Sequence, residues 1–83
     1  MSENTVEIGE AIDIEVVLDE DGRPIGAIVD DLIVATSADG TVVEEIIDVL
    51  DADGNVVLED EIVSVYDENG QLIESEETIR AVD

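Results

Sequence analysis

The chain is predicted to fold as an all-β domain, an antiparallel meander of roughly five strands curled into a small barrel or sandwich-like sheet. The main observation behind this is a turn phrase written four times. It stands at Asp19-Glu20-Asp21-Gly22, Ser37-Ala38-Asp39-Gly40, Asp51-Ala52-Asp53-Gly54 and Asp67-Glu68-Asn69-Gly70, with apolar residues on both sides of most copies. Asp or Ser at the first position can accept hydrogen bonds from the turn backbone. Gly at the fourth supplies the positive φ that a type I turn followed by a G1 bulge requires. A second observation is that the segments between turns are rich in Val and Ile, whose branched side chains suit a pleated surface.

The first strand is the clearest. Val6, Ile8, Ile12, Ile14, Val16 and Leu18 fall on even positions, while Glu7, Asp13, Glu15 and Asp19 fall on odd ones, the period of two expected when one face is apolar. Arg23 to Thr36 follows, nearly continuously apolar but interrupted by Asp30-Asp31. That pair reads as a bulge, a bend in a long strand, or an extra turn. Thr41 to Leu50 fits two descriptions. As a helix, it gathers Val42, Val43, Ile46, Ile47, Val49 and Leu50 on one side, and Thr41 with Glu44 resembles a capping box. Its β-branched residues and flanking turn phrases favour a strand. Asn55 to Tyr66 reads as a fourth strand with acidic Glu59-Asp60-Glu61 at its centre. Gln71 to Asp83 reads as a fifth, with a short terminal helix over Glu76 to Val82 as the alternative. Nothing divides the chain, so residues 1–83 are read as one acidic β domain.

The turn glycines are separated by even numbers of residues. An unbulged meander then pairs Leu18 with Pro24, Thr36 with Val42, Leu50 with Val56 and Tyr66 with Leu72, and puts all even-numbered residues on one face. The odd face is polar in the first strand but apolar beside the turns. There Val17 would pair with Ile25, Ala35 with Val43, Val49 with Val57 and Val65 with Ile73. Ala27, Val29, Ile33, Ile47 and Val63 extend the patch. A single folded sheet buries one face, so the expected interface is Val17, Ile25, Val29, Ile33, Val43, Ile47, Val49, Val57, Val63, Val65 and Ile73. The alternative is that bulges shift the register and one mixed core takes both sets.

Charge bounds the partners. The net charge is −23, from 25 acidic residues against Arg23 and Arg80, with no Lys, His, Cys, Trp or Phe. Apolar content is 45%, which a disordered acidic tail lacks. Self-repulsion at this charge is severe in dilute buffer and is screened in concentrated salt, where the Debye length falls to about 3 Å at 1 M. In this composition the chain resembles the proteins of haloarchaea and their viruses. The segment Val65 to Leu72 is similar to one repeat of the tyrosine-aspartate repeat proteins, over about eight residues that mostly form the turn. No residue role follows from that likeness.

The same residues limit the chemistry. Without His, Cys or Lys there is no imidazole, thiol or amine for nucleophilic catalysis, so no enzyme activity and no catalytic residues are expected. Asp19 to Gly22 and Asp51 to Gly54 resemble calcium loops only superficially. An EF-hand needs a ligand five positions before its Gly, where Val17 and Val49 stand, and a Glu at the twelfth, where Ile28 and Asp60 stand. No metal site, cofactor or small-molecule substrate is expected. Acids around every Gly-rich turn repel phosphate, nucleic acid and anionic lipid alike. Met1 to Glu10 carries three acids and no apolar run, so no secretory signal is expected and synthesis is placed in the cytoplasm. The function expected is structural: a salt-adapted protein that associates with itself or a larger structural protein, such as a virion component of a haloarchaeal virus. The alternative is an acidic mimic of nucleic acid or a small adaptor on a basic partner. The mimic would need acids along an outer edge, in runs such as Asp13, Glu15, Asp19, Glu20 and Asp21.

Overall fold

The computed structural model describes residues 5–82. Five strands follow one another: β1 (Glu7–Leu18), β2 (Pro24–Ser37), β3 (Gly40–Asp51), β4 (Val56–Tyr66) and β5 (Leu72–Ala81). They lie side by side in chain order, each antiparallel to the next, in one sheet. Thr41 to Leu50 lies within β3 and Glu76 to Ala81 within β5, so the helical alternatives are excluded. β3 is paired on both sides, with β2 and β4, the setting that β-branched residues favour. Asp30-Asp31 is neither bulge nor turn. β2 runs straight through it, with unbroken register to β1 and β3.

Curling into a barrel or sandwich is not what the chain does. The sheet is open, with β1 and β5 as free edges. Its extents are 60 × 20 × 19 Å, and its radius of gyration is 16.7 Å, where a compact chain of this length has about 12 Å. The strands run to 14 residues, far beyond the usual five or six. Their length goes into one long ribbon, which has no second layer to close against.

The turns explain the hairpins. Asp19 Oδ1 accepts hydrogen bonds from the N–H groups of Asp21 (2.8 Å) and Arg23 (2.9 Å). Asp51 does the same for Asp53 and Asn55, and Asp67 for Asn69 and Gln71, each at 2.9 Å. Gly22, Gly54 and Gly70 sit at φ 80°, 87° and 81°, a region that costs other L-residues roughly 1–2 kcal/mol. The Ser37 copy departs from the other three. Only Ala38 and Asp39 lie between the paired residues Ser37 and Gly40. Gly40 is required there for a second reason, because a Cβ would collide with the Tyr66 carbonyl oxygen.

The register corrects the expected pairing. Leu18 pairs with Pro24, Leu50 with Val56 and Tyr66 with Leu72, but one step further each ladder slips by one residue. Val17 faces Gly26, not Ile25; Val49 faces Leu58, not Val57; Val65 faces Glu74, not Ile73. The two-residue link puts Thr36 opposite Thr41 and Ala35 opposite Val42. An extra residue reverses the parity of everything beyond it. Even positions of β1, β3 and β5 therefore share a face with odd positions of β2 and β4.

Candidate assembly surfaces

Residues with like hydropathy are divided almost evenly between the two faces. One, the Ile12 face, carries Ile8, Ile12, Ile14 and Val16 of β1, with Val29, Ile33, Val42, Ile46, Leu50, Val63 and Val65 across the sheet. The other, the Ile47 face, carries Ile28, Leu32, Val34, Val43, Ile47, Val49, Leu58 and Ile62. The expected odd-numbered patch is thus split. Val17, Val43, Ile47 and Val49 lie on the Ile47 face; Val29, Ile33, Val63 and Val65 lie on the Ile12 face. Ile25, Val57 and Ile73 are the extra residues of the three slips, skipped in the register of the ladders in which they fall. No single interface contains all eleven, because the slips that separate them leave no mark in the alternation.

Neither face is covered. Among the described residues no side chain, apolar or polar, is buried. The chain exposes 6234 Å², against about 4,800 Å² for a folded monomer of its 8.9 kDa mass. The excess is about 1,400 Å². Two shallow apolar depressions, of about 330 and 280 Å³, lie at opposite ends of the Ile12 face. Ala35 sits in one beside Val42 and Val65, and Ala27 in the other beside Val16 and Leu50. In each, a small residue among larger ones leaves the hollow.

Across the middle of each face runs a belt of acids. On the Ile47 face each strand gives one: Asp13, Asp30, Glu45, Asp60 and Glu77. On the Ile12 face the sequence is Glu10, Asp31, Asp48, Glu59 and then Arg80, whose guanidinium pairs with Glu59. The signal for these belts lay in the acidic doublets and triplet at mid-strand, since consecutive residues in a strand point to opposite faces.

The belts perturb their own titration. A hydrogen bond to Asp31 and its charge raise the Glu10 pKa, and Asp30 does the same to Glu45 with partial burial adding to it. Glu77 is raised by its hydrogen bond to Asp60 and by that group's charge. Asp48 is raised first by loss of water and then by Glu59, with Arg80 pulling the other way. Such pairs bond only when one carboxyl keeps its proton. One oxygen each of Asp30, Asp31, Asp48 and Asp60 is shielded from water and has no hydrogen-bond partner. Asp51 moves the opposite way, lowered chiefly by the Asn55 N–H that its turn supplies.

Among the described residues, no group of three or more acids is arranged to hold a metal ion, and no helix is long and apolar enough to cross a membrane. No family model, curated protein or solved structure matches the chain.

Proposed function

We propose that the chain is a non-enzymatic structural protein that assembles with copies of itself in concentrated salt, its most concrete setting being the virion of a haloarchaeal virus. The observation carrying this reading is the uncovered sheet. About 1,400 Å² of exposure beyond a monomer's share is close to the 60 × 20 Å outline of one face. It exceeds the roughly 800 Å² that a standard protein–protein contact buries from each partner and falls in the range of large, obligate interfaces. Stacking one sheet on another, about 10 Å apart, would supply the second layer that a single chain lacks. Salt enters the reading through the belts, because packing faces that each carry a row of carboxylates requires their repulsion to be screened.

Acids lie on both edge strands, Glu7, Glu10, Asp13 and Glu15 on β1 and Glu74, Glu76 and Glu77 on β5. They also cross the inner strands on both faces, so they are not gathered along one outer edge. That arrangement favours self-assembly over a nucleic-acid mimic, which would present charge in a file.

Absolute mass by light scattering after size exclusion, in molar KCl and again at low ionic strength, tests the reading. A multimer in KCl that dissociates or unfolds when salt is removed is expected. A monomer in KCl contradicts self-assembly; an assembly indifferent to salt contradicts salt adaptation.

A further inference from the structure

We infer that the free edge of β1 is a pairing surface for β1 of a second copy, joining two sheets antiparallel about a two-fold axis at Ile12. The inference deepens the self-assembly reading and rests on it. β1 is 12 residues long, without Pro, Lys or Arg, and its apolar row stands open: Ile8 is 72% exposed, Ile12 59%, Ile14 62% and Val16 53%. A long edge strand with an open apolar row is a template for another strand. β1 carries acids too, Glu7, Glu10, Asp13 and Glu15, but Ile12, Ile14 and Val16 follow one another on one face. On β5, at the other edge, Glu74, Glu76 and Arg80 on one face and Glu77 on the other leave no continuous apolar row. Its two central registers would also set Glu76 or Glu77 against itself.

The symmetry and register follow from the chain. In a five-strand antiparallel sheet β1 and β5 run parallel, so a copy related by translation would meet β1 in a parallel pair, unlike every pair in the sheet. A two-fold axis normal to the sheet brings β1 against β1 antiparallel and keeps each face continuous. With the axis at Ile12, Ile12 meets Ile12 of the second copy, Ile8 meets Val16 and Glu10 meets Ile14. On the other face Ala11 meets Asp13, Gly9 meets Glu15 and Glu7 meets Val17. No acid stands directly opposite an acid. Moving the axis to Asp13 sets Asp13 against Asp13, and moving it to Ala11 sets Glu7 against Glu15. Like charges directly opposite are destabilising in a sheet, so the charge pattern selects Ile12. The product is a ten-stranded sheet with both faces doubled and still free to stack.

The chain has no cysteine, so a single one reports position cleanly. Residues facing each other across an antiparallel pair have Cα atoms about 4.5–5.5 Å apart, within disulfide reach. Ile14 would lie about 14 Å along the strands from Ile14 of the second copy. In molar KCl, Ile12→Cys should oxidise to a covalent dimer at least about tenfold faster than Ile14→Cys. The β1 amides that point away from β2 should exchange with deuterium at least about a hundredfold more slowly than the outward amides of β5. A multimer in which Ile12→Cys shows no advantage, or outward β1 amides exchange like those of β5, overturns the edge pairing and leaves self-assembly standing. A monomer overturns both.

Discussion

Asp48 on β3 stands directly opposite Glu59 on β4, and Arg80 on β5 reaches the same Glu59 from the far side. Two carboxyls and one guanidinium thus share a row of the Ile12 face, with one positive charge for two negative ones. Replacing Asp48 by Asn removes the repulsion and gives Glu59 a donor. Asp48→Asn should stabilise the fold at pH 7 by roughly 0.5–1 kcal/mol, the scale of a cross-strand pair. Arg80→Gln should cost about 0.5 kcal/mol, as an exposed ion pair does. Urea unfolding at fixed salt measures both, and the two variants should move the midpoint in opposite directions.

The carboxyl pairs also set a pH dependence. Glu10, Glu45, Asp48 and Glu77 have native pKa values raised from ordinary values of 4.5, 4.5, 3.8 and 4.5. The folded sheet therefore binds protons that the unfolded chain gives up. Their stabilisation is complete below those ordinary values and is lost as pH rises through the raised ones. Asp51, lowered from 3.8, acts in the reverse sense: its contribution is present above 3.8 and is lost as pH falls through its native value. The thermal midpoint at constant KCl should climb as pH is lowered from 7 toward about 4.5 and fall again in stronger acid. A midpoint that drops steadily from neutrality would contradict the proton-sharing belts.

The glycines differ in what they protect. Gly54 needs only its positive φ, since an added Cβ meets nothing within 4 Å. Gly54→Ala should cost about 1–2 kcal/mol. At Gly40 the Cβ would strike the Tyr66 carbonyl, a backbone atom. Gly40→Ala should cost more, above about 3 kcal/mol, because β3 and β4 must separate to admit it. Gly26→Ala belongs with Gly40, its Cβ falling 2.6 Å from the Leu50 carbonyl oxygen. Comparing the three by circular dichroism melts checks the order.

These contrasts also mark how far the sequence could be read. Strand identity was legible wherever the Asp-x-Asp/Asn-Gly phrase closed a Val/Ile run, because turn chemistry and β-branching are local. The faces were not legible. Whether Val17 meets Ile25 or Gly26 depends on one bulged residue, and both choices keep an apolar neighbour beside Val17. The open sheet was hidden for a related reason: eleven apolar positions assigned to one face leave the other as a core, whereas their division between two faces leaves no core. The belts were written in Asp30-Asp31 and Glu59-Asp60-Glu61, but interruption of an apolar run resembles a break more than a row of charges crossing the sheet.

The central claim is that this sheet lacks a core of its own and is completed by other copies. Its stability should then depend on how much protein is present. Urea unfolding in molar KCl, repeated over a hundredfold range of protein concentration, tests this most directly. The account predicts a midpoint that rises steadily with concentration. A midpoint that stays fixed over the whole range, with the chain folded and monomeric, would contradict it.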